Sequence, residues 1–171
     1  NMLNRFITST AGVVLLMGVV MDCVAAGTPN GSVASAYYGA VPRLDRSDTL
    51  LGTDADSNGV RDDIDAYLSA TYTSSGQLSA ATQMAKAMQN TLKVDPTDRL
   101  AVKLVDRQNS RAIHCLYSKF EGGTVSKEPS RVVSEIESMT SNTKKRLLAY
   151  LKYNRALDGT TSSLPDEDTC E

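Results

Sequence analysis

The sequence predicts an all-α fold, a bundle of about five helices. From Val60 onward, apolar residues recur at spacings of three and four, the period of an amphipathic helix. No stretch keeps the apolar–polar alternation of a half-buried strand. Short runs of Gly, Ser, Thr and Pro separate the periodic stretches, as in bundles whose helices are joined by short turns.

Length and composition place the chain among ordinary globular proteins. Its 171 residues suit one domain with a substantial core. Hydrophobic residues make up 41% and charged residues 22%, which is typical of that class. The net charge is −2 and no basic stripe carries interleaved aromatic residues, so we expect no nucleic-acid partner.

Residues 1–26 are predicted to be a secretory signal peptide. Arg5 supplies the positive start, residues 11–21 form the apolar segment, and residues 24–26 supply small residues for cleavage. A membrane anchor is the alternative, but only sixteen uncharged residues separate Arg5 from Asp22. A spanning helix needs roughly 17–25 apolar residues. The mature protein is therefore expected in the periplasm or outside the cell, without a stable membrane span.

The cysteines predict one disulfide. Cleavage after Ala26 removes Cys23, and the residue before Cys23 is not the small one expected before a lipidated cysteine. The remaining pair, Cys115 and Cys170, would be oxidised in an exported protein. Their bond would close a loop of about 56 residues and contribute at most about 4 kcal/mol. Two unpaired thiols, or a tail cysteine bonded to another chain, are the alternatives.

The rest of the chain divides into an irregular leader, a helical domain and a tail. Residues 27–51 are rich in Gly, Ser, Ala and Pro without periodicity, and residues 52–159 hold the helices. The tail, residues 160–171, is polar and acidic and is expected to be pinned by Cys170. The predicted helices span about 61–72, 77–93, 96–120, 129–139 and, after a cap at Ser141 or Asn142, a fifth stretch to about Leu157.

Two helices carry specific expectations about their starts and inner faces. Pro96 is expected in the first turn of the third helix. The predicted inner face of that helix comprises Leu100, Leu104, Val105, Ala112, Cys115 and Leu116. The predicted apolar positions of the fifth helix are Leu147, Leu148, Leu151 and Tyr150.

Residues 54–65 predict a calcium loop. Ca²⁺ is a hard cation that takes six to eight oxygen ligands. Side-chain oxygens two residues apart on a tightly turning backbone can converge on one point, and Gly59 permits the sharp turn. The predicted ligands, at loop positions one, three, five, seven, nine and twelve, are Asp54, Asp56, Asn58, the backbone carbonyl of Val60, Asp62 and Asp65.

Two positions depart from the usual loop. Asp65 stands where a bidentate Glu is common, so we expect it to bind through one oxygen or through a water. Arg61 takes position eight, where an aliphatic residue commonly pairs with a sister loop, and the sequence contains no second loop of this kind. These departures predict a single structural site filled permanently in calcium-rich surroundings.

A solvated turn followed by an N-capped helix is the alternative interpretation of the same stretch. Asp62 and Asp63 would then act favourably on the helix dipole. The number and spacing of the oxygen-bearing residues, together with the glycine, favour calcium. Asp63 is expected to point away from the ion, toward the dipole or solvent.

The run Asp-x-Asp-x-Asn-Gly-x-x-Asp-Asp-Ile-Asp resembles the loop of EF-hands and of their extracellular relatives in dockerins and thrombospondin type 3 repeats. Followed by a helix that contains Ala-Tyr, it also resembles small exported proteins of Gram-negative bacteria that share such a loop. The resemblance is specific over residues 52–72. It implies bound calcium and a location in the bacterial envelope, and it indicates no substrate.

No motif predicts catalysis. His114, the single histidine, is next to Cys115, and adjacent residues on a helix point about 100° apart, so they form no dyad. One His and a paired Cys also cannot build a zinc site. Arg107 and Arg111 are expected to form a solvated face that bridges to Asp or Glu.

The sequence therefore favours an exported calcium-binding module that presents a surface to a protein partner. A small periplasmic hydrolase of unrecognised type is the second hypothesis, since tertiary structure can assemble residues that the sequence does not pair. A third is a subunit of an extracellular assembly that retains its N-terminal apolar segment.

Overall fold

The computed structural model describes residues 43–121 and 128–171, and the predicted signal peptide and most of the predicted leader lie outside these ranges. Within them the chain forms helices and irregular segments without strands, which confirms the all-α prediction. The helices are α1 (Asp62–Thr71), α2 (Ser75–Lys93), α3 (Arg99–Phe120), α4 (Pro129–Thr140) and α5 (Lys144–Ala156). No helix among the described residues is long and apolar enough to cross a membrane.

Helix α2 forms the centre of the bundle. It packs most extensively against α3 and also contacts α1, α4 and α5. Its buried face combines alanines with two methionines, and the alanines allow the neighbouring helices to approach closely. The buried apolar residues of α2 are Ala80, Ala81, Met84, Ala85, Ala87, Met88 and Leu92. Methionine fills the gaps between such small side chains well.

The prediction that Pro96 opens the third helix was wrong, because a separate turn precedes α3. The Asp95 side chain accepts hydrogen bonds from the backbone N–H and the hydroxyl of Thr97. Asp98 then caps α3 by accepting from the N–H groups of Leu100 and Ala101, both at 3.0 Å. A capping Asp satisfies the free N–H groups of a first turn, so the helix starts three residues after the proline.

The predicted inner face of α3 was right in its second half and wrong in its first. Ala112, Cys115 and Leu116 are buried, but Leu100 is 69% and Leu104 50% exposed. Val102 is buried in their place. Each leucine is two residues from Val102, hence about 200° away around the helix, so Val102 and the leucines cannot share a face.

The fifth helix also departs from its prediction. Thr143, not Ser141 or Asn142, caps α5 by accepting from the N–H of Arg146 at 3.3 Å. The three predicted core leucines are exposed; they are Leu147, Leu148 and Leu151. Arg146 and Tyr153 occupy the buried face instead. A charged residue can hold an inward position when its hydrogen-bonding groups are satisfied, and Arg146 is such a case.

The tail packs along α2 and α3. Cys170 is bonded to Cys115, with a Cα–Cα distance of 5.0 Å, as the cysteine count predicted. The buried Thr169 donates from its hydroxyl to the carbonyl of Arg111. Gln83 on α2 donates to the carbonyl of Thr169 and accepts from the N–H of Glu171. The disulfide therefore acts together with a set of hydrogen bonds that fixes the end of the described chain.

Candidate metal site and the adjoining arginine cluster

The backbone of the loop is wound around the Asp54 carboxylate. Its two oxygens accept from the N–H groups of Asn58, at 3.1 Å, and Gly59, at 3.0 Å. Such winding needs left-handed backbone, and Ser57 and Gly59 have φ values of 58° and 92°. A side chain at Gly59 would also lie against Lys86, 3.2 Å from its Cε. Glycine at the sixth position is thus favoured by the backbone conformation, and a larger residue would require Lys86 to move.

Three carboxylates converge in this loop. One oxygen from each of Asp54, Asp56 and Asp62 lies within 4.8 Å of the other two. Ligand oxygens at about 2.4 Å from a calcium ion stand at most about 4.8 Å apart, when they face each other across it. The spacing of the three oxygens is therefore compatible with shared contact to one cation.

Asn58 draws the fourth carboxylate toward the others. Its amide nitrogen donates to Asp56, at 3.0 Å, and to Asp65, at 2.6 Å. The amide oxygen of Asn58 accepts from the N–H of Val60 at 2.7 Å. All five predicted side-chain ligands therefore lie in one small region, joined by direct hydrogen bonds or by the convergence of their oxygens.

Burial and the neighbouring acidic residues affect the pKa of Asp65. Burial raises the pKa of the Asp65 carboxyl, and the negative charges of Asp56, Asp54 and Asp62 raise it further. The hydrogen bond from Asn58 opposes this change. A bound cation would oppose this rise in the pKa of Asp65, because it would favour the charged form of the carboxyl.

The loop is joined firmly to α1. The N–H of Asp62 donates to the carbonyl of Thr53, and the carboxylate of Asp62 accepts from the N–H of Ala55. Val60, whose carbonyl is the predicted ligand at position seven, is buried in the hydrophobic core. The loop thus has one side fixed in the core and its carboxylates on the other.

Arg61, the departure at position eight, is completely buried. Its guanidinium binds both carboxylate oxygens of Asp63 and donates to the carbonyl of Met139, at the end of α4, at 2.9 Å. Asp63 also accepts from the N–H of Asp45 at 2.6 Å. Asp63 was expected to point toward the helix dipole or solvent. It accepts from the N–H of Ile64 in the first turn of α1, but it does not face solvent, because it is the counter-ion of a buried arginine.

A second buried arginine lies beside the first. Arg146 donates hydrogen bonds to the carbonyls of Asp45, Thr49 and Leu50. It also donates to the side chains of Asn142, at 2.8 Å, and Asp45, at 3.4 Å. We call Asp45, Arg61, Asp63 and Arg146 the arginine cluster. It holds the end of the leader against α1, α4 and α5.

The charges of the cluster influence one another. Burial lowers the pKa of Arg146 and the neighbouring Arg61 lowers it further, whereas Asp45 and Asp63 raise it. Hydrogen bonds from Ser47 lower the pKa of Asp45 in the first place, and Arg146 contributes as well. Two aspartates thus balance two arginines, as buried charges require.

Gly52 allows the arginine cluster to form. Its φ is +75°, and a Cβ at this position would overlap the side-chain carbons of Arg61. The Arg61 side chain therefore passes directly over the Gly52 backbone. Gln89 on α2 donates to the carbonyl of the adjacent Leu51 at 2.7 Å and fixes the same segment from the other side.

Sequence reasoning missed the arginine cluster, although two signals existed. Arg61 stands where the loop pattern usually has an aliphatic residue. Arg146 shares a helical face with Tyr150, four residues later, and with Tyr153, a further three residues along the chain. Both signals indicate that an arginine faces inward. Neither shows its partner, because Arg146 and Asp45 are 101 residues apart.

The other candidate residues form no catalytic arrangement with each other. The ring nitrogen Nδ1 of His114 is 3.1 Å from the Thr169 hydroxyl, and Cys115 is in the disulfide. Arg111 forms an ion pair with Glu167 at 3.2 Å, on a groove of about 420 Å³ between α3 and the tail. The predicted bridging of this basic face to an acidic residue is thus observed at Arg111.

No protein-family model, curated protein or solved structure matches this chain. The candidate site therefore has to be judged by its own geometry and chemistry.

Proposed function

We propose that this protein is an exported calcium-binding module in which the ion has a structural role. The observation that carries the proposal is the convergence of oxygens from Asp54, Asp56 and Asp62 within 4.8 Å, with Asp65 drawn in by Asn58. A site made wholly of oxygen ligands suits a hard cation such as Ca²⁺, whereas zinc and copper sites usually include imidazole or thiolate ligands.

Each predicted ligand has a role in this proposal. Asp54, Asp56 and Asp62 supply the carboxylate oxygens, and the carbonyl of Val60 supplies a backbone oxygen. Asn58 turns its amide oxygen toward the ion, and Asp65 is then held by the ion instead of by the Asn58 amide. Calcium supplies the positive charge that the four carboxylates lack. The loop is thereby stiffened at the start of α1.

The adjoining cluster connects this stiffening to the rest of the domain. Arg61 and Asp63 lie next to the ligands in sequence and contact the leader and the end of α4. A fixed loop therefore presents a defined surface made of the loop, the leader and α1, which supports a role as an interaction or structural module. The disulfide supports an oxidising location such as the periplasm or the exterior, where a permanently filled calcium site is also favoured.

Thermal unfolding of the oxidised protein tests the proposal. Because the unfolded chain lacks the assembled site, calcium at a hundred times its Kd should stabilise the fold by about 2.7 kcal/mol. We expect a rise in Tm with Ca²⁺ over EGTA, and a much smaller rise with Mg²⁺. Asp54→Ala and Asp65→Ala should abolish the rise, whereas Asp166→Ala, in the exposed tail, should preserve it.

Equal melting temperatures in Ca²⁺ and EGTA would refute the calcium proposal. The loop would then be a solvated turn ahead of α1. Isothermal titration of the wild type and of Asp54→Ala gives an independent measure, since a structural site predicts one bound ion and its loss in the variant.

A further inference from the structure

The outer face of α5 combines exposed leucines with cations. Three leucines of this helix are exposed, with Leu148 at 48% and Leu151 at 47%. Four basic residues are exposed on the same helix: Lys144, Lys145, Lys152 and Arg155. The helix contains no acidic residue, although the whole chain has a net charge of −2. We call the three leucines and four basic residues the α5 face.

Helical geometry places leucines and basic residues of α5 together on one side of the helix. Arg146 and Tyr153 define the buried side, and Lys144, Leu148, Leu151 and Arg155 project from the opposite side within about 60° of one another. Lysine and arginine have long apolar stems, so their charged ends can extend beyond leucines that are buried between them. The face therefore offers apolar insertion and positive charge together.

Apolar surface continues from α5 into a neighbouring groove. Leu148 and Ala149 line a groove of about 370 Å³ together with Leu92, Val94 and Pro96. Lys145 and Lys152 also line it. The apolar patch is thus wider than one helix and has cations at its edge.

We propose that the α5 face is a docking surface for an anionic phospholipid membrane. Leucines that insert between acyl chains and cations that contact lipid phosphates are the two features of helices that lie in a membrane interface. The charge pattern opposes a second copy of the chain, because two such faces would bring like charges together. The proposal is independent of the calcium site, whose ligands lie in residues 54–65.

A single tryptophan provides a local test, because the chain contains none. In the full chain, Leu151→Trp should shift its fluorescence to shorter wavelength with vesicles of equal parts phosphatidylglycerol and phosphatidylcholine. Brominated lipids should quench it. Leu104→Trp, on the exposed side of α3, is the matched control and should show neither effect. EGTA is present throughout, which excludes calcium bridges between the acidic loop and lipid.

Charge removal gives the second arm. Each cation near an anionic leaflet contributes about fivefold in affinity, so removing three should weaken binding on the order of 100-fold. We expect this of Lys144→Gln, Lys152→Gln and Arg155→Gln combined in the Leu151→Trp protein. Lys145 is kept because it donates to the carbonyl of Asp48. The control combination Lys103→Gln, Arg107→Gln and Lys119→Gln removes equal charge from α3 and should change affinity less than threefold.

Several results would overturn the proposal. The absence of a vesicle-induced shift in Leu151→Trp would do so, as would equal binding by the two triple variants. A shift that depends on protein concentration without vesicles would assign the face to a second copy. A shift with an acidic amphipathic peptide but not with vesicles would assign it to an acidic protein.

Discussion

The loop at residues 54–65 and the arginine cluster both bring negative charges close together, but they differ in what balances those charges. Both bring aspartates together close to the start of α1. In the cluster, Arg61 and Arg146 supply the balancing positive charge from within the chain. In the loop, oxygens of Asp54, Asp56 and Asp62 converge, and the ion pairs found among the described residues include none between these carboxylates and a lysine or arginine. Under the calcium proposal, only the loop takes its balancing cation from solution.

The two regions should also differ in whether their contribution to stability depends on the calcium concentration. A guanidinium is charged at every pH at which the fold exists, so the cluster should contribute regardless of the ionic composition of the buffer. The contribution of the loop should depend on free calcium. Variants that remove one group from either region can therefore test whether the two regions act separately.

Loss of Arg146 should have the largest effect. The Arg146→Met variant removes five hydrogen bonds, four of them to the segment from Asp45 to Leu50. Breaking a buried ion pair by removing one partner costs about 3–5 kcal/mol. We expect a loss of that size in urea unfolding, equal in Ca²⁺ and in EGTA. Arg155→Met, at an exposed position of the same helix, should cost less than about 0.5 kcal/mol.

A loss under 1 kcal/mol in Arg146→Met would show that the cluster is not a main source of stability. A loss that depends on calcium would show that the two regions do not act separately.

Asp62 and Asp63 are adjacent but belong to different regions, so they form a matched pair. Asp63→Asn leaves Arg61 buried without its counter-ion and should destabilise by about 3 kcal/mol with or without calcium. Asp62→Asn keeps an oxygen that can accept from the N–H of Ala55, and it should have little effect in EGTA. In Ca²⁺, however, it should lose most of the metal-induced stabilisation.

Measurement of unfolding free energy for both variants in both buffers gives the four values needed. If calcium stabilised the two variants equally, the assignment of Asp62 to the loop and of Asp63 to the arginine cluster would be contradicted.

The sequence allowed the loop and most helices to be predicted, because their signals are local. The ligands lie within residues 54–65, and a helix can be recognised from residues three or four apart. The disulfide needed only a count of cysteines and an assumption about the compartment. The fold class was therefore predictable, and so was the grouping of the five acidic and amide side chains.

The arginine cluster and the outer face of α5 could not be predicted in the same way. The pairing of Arg146 with Asp45 is a contact between distant segments, whose geometry is set by the packing of α5 on the bundle. Local hydrophobicity placed Leu147, Leu148 and Leu151 in the core, whereas an arginine with satisfied hydrogen bonds takes the inward position. The burial of Arg146 beside Asp45 thus explains why the arginine cluster was missed and why the three leucines were wrongly placed in the core.

Gly52 offers a smaller test, at the point where the leader crosses the cluster. Gly52→Ala places a methyl group against the Arg61 side chain at a φ of +75°, and it should destabilise by about 1–3 kcal/mol. Gly76, in the first turn of α2, has space for a methyl group, which would lie 3.9 Å from the Cδ of Lys119. Gly76→Ala should therefore stabilise the fold by about 0.5–1 kcal/mol.

Opposite signs for the two glycine variants in urea unfolding would support the close passage of Arg61 over Gly52. A stabilising Gly52→Ala would contradict it.

Tyr153 is an ionisable group that is buried in its neutral form, and its removal should have a small effect at neutral pH. Burial raises the pKa of Tyr153 to about 12, against about 10 for a tyrosine in an unfolded chain. Because the folded-state pKa is the higher one, the stabilisation is complete below pH 10 and is lost as the pH rises toward 12. Tyr153→Phe removes this titration together with the hydrogen bond from Asn109. The variant should be about 1 kcal/mol less stable at pH 7.

The slope of the unfolding free energy against pH distinguishes the buried neutral Tyr153 from the charged groups of the arginine cluster. Between pH 10 and 12 the wild type should lose stability more steeply than Tyr153→Phe, whereas Tyr117→Phe, at an exposed position, should follow the wild type. The two curves for position 153 should therefore converge as the pH rises. Parallel curves would show that the Tyr153 hydroxyl ionises as it does in the unfolded chain. Stability on this side of the bundle would then depend on the arginine cluster and the apolar core, and not on keeping the phenol neutral.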